Sequence, residues 1–200
     1  MNYTAAHQVA LERFRAASLE AMARCSGFPL EGNALSVEFL GGHYYVDYPE
    51  GNFRLQASAE ELPVFTQILI LHYLTNLTES AATGQLISFK ELPGGSIYIQ
   101  PFTHRAIDPL VRSFGPEPDK LLEAAARLGG QANELGNVGV TLRVFPRVSV
   151  TLILWSADDE FPASGNILFD SSAASILPTE DYAVLASVVV GALKRRISSN

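Results

Sequence analysis

Cysteine is nearly missing from this sequence. Cys25 stands alone among 200 residues, which excludes an internal disulfide framework, a four-cysteine zinc site and any self-contained iron–sulfur cluster. Positive charge is also scarce. Fourteen Lys and Arg against 21 Asp and Glu leave a net charge of −7, which argues against a nucleic-acid-binding surface. Long apolar runs are absent: the longest uncharged, apolar-rich stretch is Ala183 to Leu193, where a membrane span needs about twenty residues. Met1-Asn2-Tyr3-Thr4 opens the chain with neither a basic n-region nor an apolar h-region, so no secretory signal is expected. With the lone thiol, that sets a reducing cytoplasm as the expected compartment.

Catalytic fingerprints are missing as well. Gly136-Asn137-Val138-Gly139 lacks the remaining glycine of a dinucleotide loop, and no Lys-Ser/Thr follows a glycine cluster. There is no Gly-x-Ser-x-Gly elbow. The histidines at 7, 43, 72 and 104 have no metal-ligand spacing.

What is present is an ordinary globular composition, 48% hydrophobic and 18% charged. A chain of this length buries roughly 70% of its unfolded surface, enough for one core over residues 1–200. Leu11, Phe14, Ser18, Met22 and Cys25 share a stripe, predicting an amphipathic helix over about 4–25, stopped by Gly27 and Pro29. The β-like runs 35–40, 43–48 and 53–56 are joined by Gly41-Gly42 and Pro49-Glu50-Gly51-Asn52, the composition of an antiparallel meander. Ser58 with Glu61 forms a capping box for a helix reaching about Leu77. Its centre, Ile68-Leu69-Ile70-Leu71, is apolar all round, as in a buried central helix.

Runs 86–91 and 96–102 read as strands around Leu92-Pro93-Gly94-Gly95, whose Pro-Gly pair suits a type II turn. Thr103 then caps a short helix ending near Phe114, and residues 119–128 form another. Val138–Phe145 and Val148–Trp155 are two strong strands around Pro146-Arg147, and Asn166–Phe169 is a shorter one. Thr179 caps the last helix, with Glu180 and Asp181 at its positive end and Lys194-Arg195-Arg196 at its negative end. The irregular mixture, without a run of βαβ units, predicts a single α+β domain. Its sheet is largely antiparallel, packed on a buried central helix and flanked by the N- and C-terminal helices.

Several side chains carry both a functional and a structural reading. Cys25 is a nucleophile or a core thiol; its place near a helix C-terminus has the wrong sign for a thiolate. His72 is a ligand or base, or a buried ring with a satisfied nitrogen. Tyr73 beside it is a core aromatic with its hydroxyl at an edge. Arg105 binds an anion or forms a salt bridge to one of the acids. Trp155-Ser156-Ala157-Asp158-Asp159-Glu160 places three carboxylates after a strand, and Asp170 ends the next. If the strands are neighbours, the oxygens converge on a cation, or one carboxyl becomes a general acid. The plainer reading is a solvated turn in which one Asp caps backbone amides.

A series of short blocks runs in order through the second half. It comprises Leu71-His72-Tyr73-Leu74, Ser88-Phe89-Lys90-Glu91-Leu92-Pro93-Gly94-Gly95, Arg105 with Pro109-Leu110, and Phe114-Gly115. Leu128-Gly129-Gly130, Phe145-Pro146-Arg147-Val148 and Leu154-Trp155 through Asp159-Glu160-Phe161-Pro162 continue it. Ile167-Leu168-Phe169-Asp170 and Leu177-Pro178-Thr179-Glu180-Asp181 complete it. Over about residues 35–195 the chain resembles the family named domain of unknown function 3786, of anaerobic bacteria and archaea. The resemblance carries no catalytic residue onto this chain. Some members resemble fusions to cysteine-rich iron–sulfur domains, among proteins of corrinoid-dependent one-carbon metabolism. A redox role here would need a partner, since this chain has no such cysteine module.

The expectation is therefore a cytoplasmic ligand- or cofactor-binding accessory protein. A tetrapyrrole or corrinoid, or a metalloenzyme partner, would be bound through His72, Tyr73, Arg105, Trp155, Asp159 and Glu160. A histidine would meet the metal, and Arg105 a propionate-like or phosphate group. Two alternatives stand beside it: a carboxylate-dependent enzyme using Asp158, Asp159, Glu160 and Asp170, and a protein-interaction module with an exposed apolar patch.

Overall fold

The computed structural model describes residues 3–56, 61–76 and 79–198. The predicted cap Ser58 and helix end Leu77 lie outside them. Two antiparallel sheets share one core. The first has strands in chain order: β1 (Leu30–Glu31), β2 (Ala34–Phe39), β3 (Gly42–Asp47) and β4 (Phe53–Leu55). This is the expected meander, extended by one short strand. The second sheet has the order β5-β9-β8-β7-β6, from β5 (Leu86–Ser88), β6 (Gln131–Asn133), β7 (Val138–Phe145), β8 (Val148–Trp155) and β9 (Ser164–Asp170). The β7–β8 hairpin pairs Phe145 with Val148 and Val138 with Leu154, as Pro146-Arg147 predicts.

The predicted N-terminal helix is two helices, α1 (Tyr3–Ala16) and α2 (Leu19–Ser26). Ser18 sits between them with extended backbone, and its hydroxyl oxygen accepts the Ala21 amide. A serine that satisfies a helix-start amide favours beginning a new helix over continuing the old one. Gly27, at φ +79°, closes α2. Cys25 is buried in the last turn of α2, the core reading.

The central helix is α3 (Val64–Thr75), with Thr66, Ile68, Leu69, Ile70, Leu71, Tyr73 and Leu74 buried. It packs against α1, α2 and α8 (Thr179–Ser198). Tyr73 stacks on Phe145 at 4.2 Å, and Phe145 lies 5.3 Å from Phe39 of β2. Helix and both sheets therefore meet at one ring.

The clearest departure from expectation is the run 96–102. It is the helix α4 (Gly95–Phe102), not a strand. The type II turn before it is real, with Gly94 at φ +73°, ψ 0° and the Gly95 amide bonded to Leu92 O at 2.8 Å. The chain leaves that turn as a helix because Phe102 then reaches Phe89 and stacks on it at 4.0 Å. Phe89 belongs to a 3-10 turn, Phe89–Glu91, that replaces the end of the predicted strand. Pro101 within α4 has no amide to give, and the chain passes into a π-helical turn, Thr103–Ile107. It continues as α5 (Asp108–Phe114), so Thr103 is an interior residue and not a cap. Then come α6 (Asp119–Ala126) and the short α7 (Ala173–Ile176). Thr179 is the first residue of α8 and not its side-chain cap: its hydroxyl donates to Pro93 O at 2.7 Å, tying α8 to the turn before α4. Among the described residues, no helix is long and apolar enough to cross a membrane.

Candidate ligand-binding cleft

The first turn of α8 points Asp181 at α3. His72, the most exposed residue of the stretch 68–74 on that helix, meets it: Nδ1 and Asp181 Oδ2 are 2.7 Å apart. Both side chains are largely buried. A carboxylate on one ring nitrogen fixes the ring's orientation and leaves Nε2 as the reactive atom. No described residue hydrogen-bonds that nitrogen.

A cleft of about 490 Å³ opens beside the pair, lined by Arg13, Ala16 and Ala17 at the end of α1, by His72, Thr75 and Asn76, and by Pro178. Arg13 comes from the exposed side of α1 and supplies a cation. Thr75 turns its hydroxyl back to Leu71 O at 2.8 Å, a common way to satisfy a helical threonine. The Asn76 amide nitrogen bonds backbone carbonyls at Ser175 and Ile176, holding the end of α3 against α7. One wall is therefore tied down by hydrogen bonds, and its polar side chains are Arg13, His72, Thr75 and Asn76, none of them acidic.

A second cleft of about 380 Å³ lies between α1 and β4, lined by His7, Asn52, Phe53, Glu61 and Gln67 among others. It contains none of the predicted site residues.

The structure does not gather those residues into one site. Tyr73, next to His72, turns away from the cleft: its hydroxyl donates to Ser26 O at 2.6 Å and accepts the Arg147 amide at 3.3 Å. Burial pushes its phenol up to about 12, against smaller opposing effects of the Arg147 amide and charge. Arg105 is exposed on the π-helical turn, and among the described residues it forms no ion pair with the acids of 158–170. Trp155, Asp159 and Glu160 are exposed at the far end of β8.

The converging-carboxylate reading is overturned by strand direction. β8 and β9 are neighbours but antiparallel, pairing Trp155 with Ser164 and Val150 with Phe169. The acids after β8 therefore lie beside the start of β9, whereas Asp170 ends it, six residues or about 20 Å further along. Asp158 instead caps its own turn, accepting the Glu160 amide at 2.9 Å and the Phe161 amide at 2.7 Å. Those amides hold its carboxyl below the ordinary value. Asp170 staples a different loop, accepting amides of Thr83, Gly84 and Ser172 and the hydroxyls of Thr83 and Ser172. Burial opposes its ionisation, but these donors together outweigh it and hold the carboxyl far below the usual range. Among the described residues, no three His, Cys, Asp or Glu side chains cluster as metal ligands.

Sequence reasoning missed Arg13 and Asn76 as cleft residues, and Asp181 as the partner of His72. Asp181 was visible only as a favourable charge at the start of α8; its pairing with a histidine 109 positions earlier had no local signal.

Two antiparallel sheets around a buried helix, with a polar cleft at that helix's C-terminal end, define an α+β protein with a candidate ligand site. The chain belongs to the family described as Domain of unknown function (DUF3786), which matches residues 18–192. The match begins at the cap of α2, so His72, Asn76 and Asp181 lie inside it and Arg13 outside. No curated protein and no solved structure matches the chain.

Proposed function

We propose that this is a ligand-binding accessory protein whose ligand is a small carboxylate- or phosphate-bearing molecule seated against His72 and Arg13. The observation that carries the reading is the His72–Asp181 pair at the edge of a cleft whose one cationic side chain among the described residues is Arg13. The cleft volume falls in the range of small-molecule sites, about 300–1,000 Å³. Asp181 orients the imidazole, Nε2 meets the ligand, and the Arg13 guanidinium takes an anionic group in a charge-assisted hydrogen bond.

The cleft does not fit a tetrapyrrole or corrinoid. His72 Nε2 has the chemistry of an axial ligand, but the described lining holds no Phe, Tyr or Trp to stack on a flat macrocycle. Its apolar part is Ala16, Ala17 and Pro178.

Imidazole NMR of the whole protein, titrated with inorganic phosphate and with succinate, tests the reading. The His72 resonances are expected to shift saturably with at least one of the two. Arg13→Gln should weaken that binding about tenfold, the value of one charge-assisted hydrogen bond near 1.4 kcal/mol. Unmoved His72 resonances at tens of millimolar of both anions would overturn the proposal. So would a visible absorbance band in gently purified protein, which would put a macrocycle where a small anion is expected.

A further inference from the structure

The outer end of the second sheet carries a feature that the cleft does not use. Three large apolar side chains are exposed there: Trp155 at 41%, Phe161 at 66% and Leu135 at 38%. Trp155 ends β8, and the two loops that carry Leu135 and Phe161 are tied to that same strand end. The loop before β7 is sewn to β8 by Asn137 N to Leu154 O at 2.9 Å and Ser156 N to Asn137 Oδ1 at 2.9 Å. Leu135 in that loop is held by its own amide, bonded to Asn133 Oδ1 at 3.0 Å. The loop after β8 is closed by Asp158, whose side chain accepts the Glu160 and Phe161 amides and whose own amide donates to Phe161 O at 3.0 Å.

The preceding residues of β8, Thr151 to Leu154, are buried on both faces. Trp155 is the point where coverage stops. Scattered apolar side chains are normal on a surface, but three on tied-down loops at one strand end form a patch. Rigid Trp and Phe side chains also lose little entropy on docking, as in interface hot spots.

The charge of the two loops names the partner. Residues 131–137 and 155–163 contain no Lys, Arg or His, and they contain Glu134, Asp158, Asp159 and Glu160. Asp158 is spent on its turn; Glu134, Asp159 and Glu160 are exposed and form no ion pair among the described residues. We infer that the Trp155–Phe161–Leu135 end docks a basic, apolar-anchored segment of another protein, its Lys or Arg side chains meeting Glu134, Asp159 and Glu160. A second copy is disfavoured because acidic ends of a chain with net charge −7 repel one another.

The test is direct because Trp155 is the sole tryptophan of the chain. Its emission is followed while the full protein is titrated with a 14-residue peptide alternating Leu and Lys, and with the same peptide carrying Glu for Lys. The expected result is a saturable blue shift with the Lys peptide only. It should weaken at least tenfold between 0.05 and 0.5 M salt, as exposed charge pairing requires. Phe161→Ser, at an exposed position, should keep the fold and weaken binding about tenfold, and Asp159→Asn with Glu160→Gln should do the same. No shift with the Lys peptide overturns the inference, as does an equal shift with the Glu peptide or an affinity indifferent to salt. Emission that instead depends on protein concentration alone would make the occupant a second copy and also overturn it.

Discussion

Two residues show how a polar group is used once it leaves water. Tyr73 combines a ring stacked on Phe145 with a hydroxyl that donates to Ser26 O and accepts from Arg147 N. Tyr73→Phe keeps the ring and strands two backbone groups, so it should cost about 1–3 kcal/mol in urea unfolding. Asp170 is the opposite case, a carboxylate held ionised by a ring of donors. Its folded pKa is depressed, so the unfolded state takes the proton first and stability rises with pH. Its contribution is present above the ordinary carboxylate value near 3.9 and fades as pH falls below it. Urea midpoints measured from pH 5 to pH 2 should fall less steeply in Asp170→Asn than in the parent protein, and Asp170→Asn should be the less stable of the two at pH 7.

At the scale of elements, the strands and helices legible in the sequence are those whose local pattern agrees with their surroundings. β7, β8 and the apolar α3 are of this kind: their side chains are buried as their patterns require. The meander was legible through its Gly and Pro-Gly turns. α4 was not, because Ile97-Tyr98-Ile99 has strand propensity and Pro101 opposes a helix. The structure answers by leaving Ile97 80% exposed and burying Phe102 against Phe89. One long-range aromatic stack outweighs several weak local preferences.

Gly95 is decisive for that choice. A Cβ there would collide with the Phe89 backbone carbonyl oxygen, which no side-chain rotation relieves. Gly95→Ala should destabilise the fold by about 3 kcal/mol in thermal or urea unfolding. Gly94→Ala meets no neighbour and pays only the left-handed backbone, about 1–2 kcal/mol. The break between α1 and α2 had a signal, Ser18 ahead of Leu19-Glu20, that the long apolar stripe concealed.

For the whole molecule, the cleft was half legible. His72 is marked out by being the one imidazole in the apolar centre of α3, but Asp181 comes from α8 and Arg13 from α1. Chain positions 13, 72 and 181 become neighbours only through packing of three helices, and no spacing rule covers that. The acidic loop suggests a converging site for a related reason: consecutive carboxylates are conspicuous in a sequence, while strand direction is not.

The burial of α3 bears on how a ligand would meet His72. Amides from Ile68 to Leu74 lie in a segment with almost no wet face, so they have no local route to solvent. Their deuterium exchange should be the slowest in the chain and should track global unfolding. A ligand arriving at His72 then meets a wall already set, not a hinge. Association should be a single concentration-dependent phase with no slower isomerisation behind it, and the exchange rates of α3 should rank the same with and without the ligand.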